Sequence, residues 1–412
     1  MISMKKSLPL PSAISTSTHQ HISTFAFNKI LLPLLFICTF AQLHICTFAQ
    51  DSSHIRISLL TCTPGDDLYS TFGHSALRVT DSSGVQDIVF NYGTFNFEEP
   101  GFYTKFIRGK LMYYVSTSYF NEFKEEYQSA NRGITEQVLN LDAEEKIAVE
   151  KFLYQNIKEE NKFYKYDFLF DNCTTRLRDI ITQHKKIKPI FTAVMPGGTT
   201  FRQAIYQYLD KNKKDWSKLG IDILLGAPTD AVMNSTQSQF LPENLMKTFD
   251  SSNQNHHLVL STTNLYPVSN INNRGYFFTP IVVFSLLLIV IIILDFSKNK
   301  IAAAFLQGFD GLLFFISGAL GILLLFMWFG TDHSMTKNNF NLLWAWPTHA
   351  VAAFFINSKK GWVKNYLFIT TIGLLLVMAS WFFLPQQLNN SLLVICLLLL
   401  FRGVRRYMGV KG

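Results

Sequence analysis

The sequence predicts an α+β domain outside the cytoplasm, followed by an all-α membrane bundle of five spans. Residues from about 50 to 270 mix short β-rich runs with amphipathic helical ones, whereas 276–406 is a series of long apolar runs. An apolar run at 30–49 follows Lys5, Lys6 and Lys29 and ends Thr47-Phe48-Ala49-Gln50, with small residues where a signal peptidase reads. Basic residues crowd alternate loops between the later runs, as the positive-inside rule requires. With 48% hydrophobic residues in 412 and a mean hydropathy of +0.16, the chain is too apolar for an ordinary soluble protein.

The expected organisation is a signal peptide at 1–49, an exported domain at 50–252, a linker at 253–275, a membrane domain at 276–406 and a cytoplasmic tail at 407–412. The hexamer Ile-Cys-Thr-Phe-Ala-Gln occurs at 37–42 and again at 45–50. An uncleaved anchor competes with the signal peptide, because the run is nearly long enough to span. Cys38 and Cys46 lack the small residue expected before a lipidated cysteine. On either reading residue 51 emerges on the outer side.

In the exported domain, 55–61 alternates and is rich in Ile and Leu, which predicts a strand. A turn cluster at 63–67 leads to a strand at 75–80, a turn at 81–84 and a return strand at 86–92. Pairing Thr80 with Val85 across that turn puts Asn91 opposite His74. Residues 111–116 form another candidate strand, and 120–131 and 143–157 read as helices, the second capped by Asp142. An aromatic stretch at 164–170 runs into Asp171-Asn172-Cys173, and a helix follows over about 174–184.

The predicted spans are 277–294, 312–329, 342–356, 366–384 and 392–401, the third and fifth short for a crossing. Lys298 and Lys300, then Lys359, Lys360 and Lys364, then Arg402, Arg405, Arg406 and Lys411 follow the first, third and fifth runs. This places the C-terminus in the cytoplasm and gives the net charge of +8 a topological origin. The exported part mixes Lys and Arg with Asp and Glu, so nucleic acid is excluded as a partner.

Two residues carry the chemistry. Cys173 begins a helix, where the dipole favours thiolate and first-turn N–H groups can hold an oxyanion, with Asn172 beside them. His74, in Phe72-Gly73-His74-Ser75, heads a strand and supplies a base. Asn91 either orients the imidazole or caps a strand end. Cys173 itself is a nucleophile, half of a disulfide with Cys62, or a small buried hydrophobe; the residues leave all three open. Asp332, His333, Asn339 and Asn341 fall in an outward loop, where they line a lipid entrance, contact a head group, or merely cap the next helix. Trp344, Trp346 and Trp381 suit interfacial anchoring. The sequence carries no phosphate loop, nucleotide fingerprint or metal-ligand cluster, and His256-His257 is a lone pair.

The runs Thr61-Cys62-Thr63-Pro64-Gly65-Asp66-Asp67, Phe72-Gly73-His74-Ser75, Phe90-Asn91-Tyr92-Gly93 and Asp171-Asn172-Cys173-Thr174-Thr175 resemble the exported domain of Lnb-type lipoprotein N-acyltransferases. The likeness continues through Phe240-Leu241-Pro242 and Thr331-Asp332-His333 to Asn339 and Asn341. The resemblance implies a permuted papain-like thiol domain, with Cys173 as acyl-accepting nucleophile and His74 as base; the expected location is the inner membrane, and no cofactor is expected. The resemblance implies N-acylation of the lipidated N-terminal cysteine of a lipoprotein, with a membrane phospholipid as donor. The rival classes are a membrane-tethered cysteine hydrolase and a non-catalytic anchor module.

Overall fold

The computed structural model describes residues 53–251, 257–267, 277–297 and 299–409. The expected signal peptide, His256, Lys298 and Lys411 lie outside the described residues. Seven strands make one antiparallel sheet in the order β6-β4-β3-β2-β1-β5-β7. They are β1 (Ile55–Cys62), β2 (His74–Asp81), β3 (Asp87–Thr94), β4 (Met112–Tyr119), β5 (Ile134–Leu139), β6 (Phe163–Lys165) and β7 (Val259–Tyr266). The exported helices are α1 (Phe102–Ile107), α2 (Phe120–Ser129), α3 (Ala143–Asn156), α4 (Cys173–His184), α5 (Phe201–Lys211), α6 (Asp215–Leu224) and α7 (Pro242–Asp250).

Both faces of the central strands are covered, which is why Ile57 through Cys62 are all buried instead of alternating. Ile57, Leu59, Leu77, Val79 and Phe90 pack against α3, α4 and α7 through Val149, Leu153, Leu177, Ile181, Leu245 and Phe249. Leu60, Cys62, Ala76 and Val89 face the other way, onto Phe120, Phe123 and Tyr127 of α2.

The expected register is two residues off. Thr80 pairs with Asp87, because Asp81 and Gln86 close the hairpin through the Asp81 N–H on the Gln86 carbonyl at 3.1 Å. The expected linker also contains structure. Val259–Tyr266 is an edge strand on β5, and its row of exposed polar side chains explains why it reads as linker.

The membrane part comprises α8 (Pro280–Phe296), α9 (Lys300–Phe329), the short α10 (His349–Ala352), α11 (Gly361–Ser380) and α12 (Asn390–Tyr407). Two helices, Lys300–Phe329 and Gly361–Phe383, are long and apolar enough to cross a membrane. The third expected span is no continuous helix. It is a chain of short turns at Phe340–Leu343, His349–Ala352 and Ala353–Phe355, interrupted at Pro347, which has no N–H to give a helix. This segment nonetheless descends along α9. Ala345 lies at Gly321, Ala350 at Gly318, and Asn357 Nδ2 donates to the Gln307 carbonyl at 3.0 Å. A Cβ on Gly318 would sit 1.9 Å from the Ala350 nitrogen, so glycine is what lets irregular backbone shelter against the helix. Trp344 and Trp381, expected at the interface, are buried in this bundle.

At the far end of the bundle, Arg402 bridges Asp310 at 2.6 Å and Asp295, tying α12 to α9 and α8. Arg405 and Arg406 add contacts to the same two carboxylates. Buried charge at this depth is retained only when paired, as here.

Candidate active site

His74 opens β2, and what aims it is the residue before it. Gly73 has φ +84°, and a Cβ there would lie 2.6 Å from the Cys62 carbonyl oxygen. A left-handed backbone this close to a neighbouring strand accepts glycine alone without strain. Cys62 is the cross-strand partner of His74 on β1.

Asn91 reaches His74 despite the shifted register. A two-residue slip keeps side chains on the same face, so Asn91 moves from directly opposite to diagonal. Its Oδ1 lies 3.3 Å from His74 Nε2, and its Nδ2 donates to Ser118 Oγ at 3.5 Å. An amide oxygen only accepts, so Nε2 carries the hydrogen and Nδ1 of the neutral ring is left with its lone pair.

Cys173 is the first residue of α4. Asn172, buried, caps that helix: its Oδ1 accepts from the Thr174 and Thr175 N–H groups at 2.8 and 2.9 Å. Its Nδ2 donates to the Phe168 and Phe240 carbonyls at 2.7 and 2.8 Å. The hydrogen-bonding atoms of this amide are therefore all engaged within the cap. The same contacts occupy two of the first-turn N–H groups expected to hold an oxyanion, leaving the Cys173 N–H without a protein acceptor among the described residues.

Withdrawal from water pushes the Cys173 thiol up, but the charge of His74, its hydrogen bond, and a bond from the Ser75 N–H outweigh this and bring it down to about 7. Burial pushes the His74 imidazole down; the Cys173 charge and hydrogen bond, then Asn91, outweigh burial and raise it. The two shifts have one cause, a thiolate–imidazolium pair. Cys62 and Cys173 are both free thiols, so the disulfide reading is not what the structure adopts.

The pair sits in a cleft of about 930 Å³. Phe95, Phe97, Phe106, Leu111, Tyr113 and Phe168 furnish much of its wall, and residues 332–336 of the membrane part close one side. Asp332 pairs with Lys165 at 2.9 Å, and His333 Nε2 lies 3.1 Å from the Phe106 and Ile107 carbonyls. Both are at the rim. Asn339 and Asn341 are not: they are buried, donating to the backbone of Asp222, Ile223 and Leu224, and they join the two halves of the molecule.

Sequence reasoning missed three contributors. Ser75 acts through its N–H, which no side-chain pattern reveals. Asp167 organises the approach to Cys173, its Oδ1 accepting from Leu169 and Phe170 N–H and its Oδ2 from Ser334 Oγ at 2.6 Å. An Asp at the opening of a tight turn was the available signal. Arg132 lines the cleft with no carboxylate partner among the described residues, its Nε on the Thr63 carbonyl at 2.9 Å.

A partly buried thiol paired with an imidazole, in a domain fastened to a membrane bundle, defines a membrane protein with thiol chemistry at hand. The Lnb N-terminal periplasmic domain matches residues 42–208, and the Lnb transmembrane domain matches 271–411. The chain belongs to the Lnb family, a family of membrane enzymes, and has a periplasmic N-terminal domain joined to a transmembrane one. Nothing among curated proteins or solved structures matches it.

Proposed function

We propose that this protein is a lipoprotein N-acyltransferase of the inner membrane, working by a Cys173 thioester. The observation that carries the reading is the Cys173–His74–Asn91 arrangement inside an aromatic cleft that the membrane loop helps to wall. A strand-borne His ahead of a helix-start Cys is the chain order of a permuted papain-like site. The alternating directions of α8, α9, the broken segment, α11 and α12 fit five crossings with a cytoplasmic C-terminus.

His74 Nδ1 takes the thiol proton, and the Cys173 thiolate attacks an ester carbonyl of a membrane phospholipid. The Cys173 N–H faces the developing oxyanion. The ester C–O bond breaks, the lysophospholipid alcohol leaves with the proton from His74, and the acyl chain stays on sulfur. The α-amine of a diacylglyceryl-modified cysteine then attacks the thioester, His74 accepts the amine's proton, and the thiolate departs as the amide forms. No cofactor is needed in this scheme. An apolar, aromatic cleft suits acyl chains better than the polar open groove a peptide hydrolase uses.

Cells relying on Cys173→Ala should accumulate lipoproteins whose lipidated cysteine keeps a free amine, read by mass spectrometry of the N-terminal lipopeptide. Complete N-acylation in that variant sinks the proposal.

A further inference from the structure

Helix α1 has an apolar face left largely exposed by the described residues. Tyr103, Phe106 and Ile107, at the i, i+3, i+4 spacing of one helical face, are 74%, 48% and 47% exposed. Phe97, just upstream, is 62% exposed and packs on Phe102 with ring centroids 5.0 Å apart. Phe102 is the helix's buried anchor and stacks on Phe95 at 5.9 Å. Exposed aromatics clustered this way on a short helix are costly in water unless something covers them.

The position of α1 says what covers it. The Arg108 carbonyl accepts from the Asp332 N–H at 2.9 Å, and His333 Nε2 meets the Phe106 and Ile107 carbonyls. Residues 332 and 333 come two residues after α9, one of the two helices long enough to span, whose last residue Phe329 is 75% exposed. The C-terminal end of α1 is thus tied to the loop that leaves a membrane helix. Arg108 and Lys110, beside it, act on the Asp332 carboxylate but form no salt bridge among the described residues, which leaves both able to meet the negative surface of a phospholipid leaflet. An apolar face with flanking cations is the composition of a helix lying in a membrane interface. Phe97 and Phe106 also line the cleft that holds Cys173 and His74.

We propose that α1 lies in the periplasmic leaflet of the membrane and forms the doorway through which lipid reaches Cys173. The membrane position rests on the transmembrane domain alone; the passage of lipid rests on the function proposed above.

The test uses the full chain in vesicles of phosphatidylethanolamine and phosphatidylglycerol, with a benzophenone amino acid at position 106 or, as control, at Val85, which is 84% exposed on the distant β2–β3 hairpin. Light should give a phospholipid adduct on the peptide carrying position 106 and none at position 85. A cross-link from 106 to a second copy or another protein, or equal adducts at both positions, overturns the membrane position. In the same vesicles, Tyr103→Glu with Ile107→Glu should slow acylation of Cys173 by vesicle lipid at least tenfold. Iodoacetamide should meanwhile alkylate Cys173 within twofold of the unaltered rate, since both residues are exposed and neither lines the cleft. Acylation unchanged by the double substitution overturns the doorway. A lipid adduct at 106 with no acylation in the unaltered chain refutes the proposed function and leaves the membrane position standing.

Discussion

Withdrawal from water acts alike on Cys62 and Cys173, yet the two thiols end far apart. Burial pushes Cys62 up to about 12, with Arg132 and a Tyr127 hydrogen bond opposing it weakly. At Cys173 the same penalty is overcome by His74, and the thiol falls to about 7. The thiolate fraction of Cys173 therefore rises as pH climbs through about 7, instead of the ordinary 9.0. Iodoacetamide at pH 7 should label Cys173 and spare Cys62. His74→Ala leaves burial opposed only by the Ser75 and Thr174 hydrogen bonds, so the Cys173 thiol rises. A rise of two units cuts the thiolate fraction at pH 7 roughly fiftyfold, offset in part by the greater nucleophilicity of a more basic sulfur, for a net loss of about fivefold in alkylation rate. An unchanged rate in His74→Ala would separate the two residues.

Among elements, the turn before β2 and the cap of α4 do the aiming. Gly73→Ala forces a side chain into left-handed backbone and toward the Cys62 carbonyl, 2.6 Å away. It should cost about 1–3 kcal/mol and swing His74 off Cys173. Thermal unfolding and the pH midpoint of Cys173 alkylation read the two effects separately, and a stable variant with an unmoved midpoint contradicts the account. His74 and Cys173 were legible because each lies in a short sequence signal, at the head of a strand and at the start of a helix. The hairpin register was not, because one turn sequence admits closures two residues apart; Asn91 survived the error since the face is conserved. Strand β7 was hidden because an exposed edge strand needs no apolar alternation. The broken third span was hidden because hydropathy measures composition, and Pro347 with the Gly318 and Gly321 contacts decides whether that composition winds into a helix. The full set of Asn172 contacts was hidden, since one of its hydrogen bonds reaches the Phe240 carbonyl, 68 residues away.

At the scale of the whole molecule, the cleft exists only while the periplasmic and membrane halves stay in register, since residues 332–336 wall one side of it. A buried polar junction holds that register. Arg202, fully buried, meets Asp222 at 2.9 Å and Asp230 at 2.9 Å. Asp222 also accepts from Tyr206 Oη at 2.6 Å and, from the membrane half, Asn389 Nδ2 at 2.8 Å. Gln386 adds a bond from its Nε2 to the Leu225 carbonyl at 2.9 Å. Such a network adds little over a well-packed apolar one, but losing a single member strands the others without water. Asp222→Ala removes one of the two carboxylates facing Arg202 and the acceptor for both Tyr206 and Asn389. It should destabilise the detergent-solubilised chain by about 3 kcal/mol or more. Asp179→Ala, which breaks a half-exposed pair with Arg178, should leave the unfolding temperature nearly unchanged. Because Asp222 joins the halves, its loss should also weaken their coupling. Proteolysis between 267 and 277 should then release a periplasmic fragment that the unaltered protein retains after cleavage in detergent. Equal unfolding temperatures for the two variants, with the fragment retained in both, would show that the junction is held by the loop contacts of residues 332–338 instead.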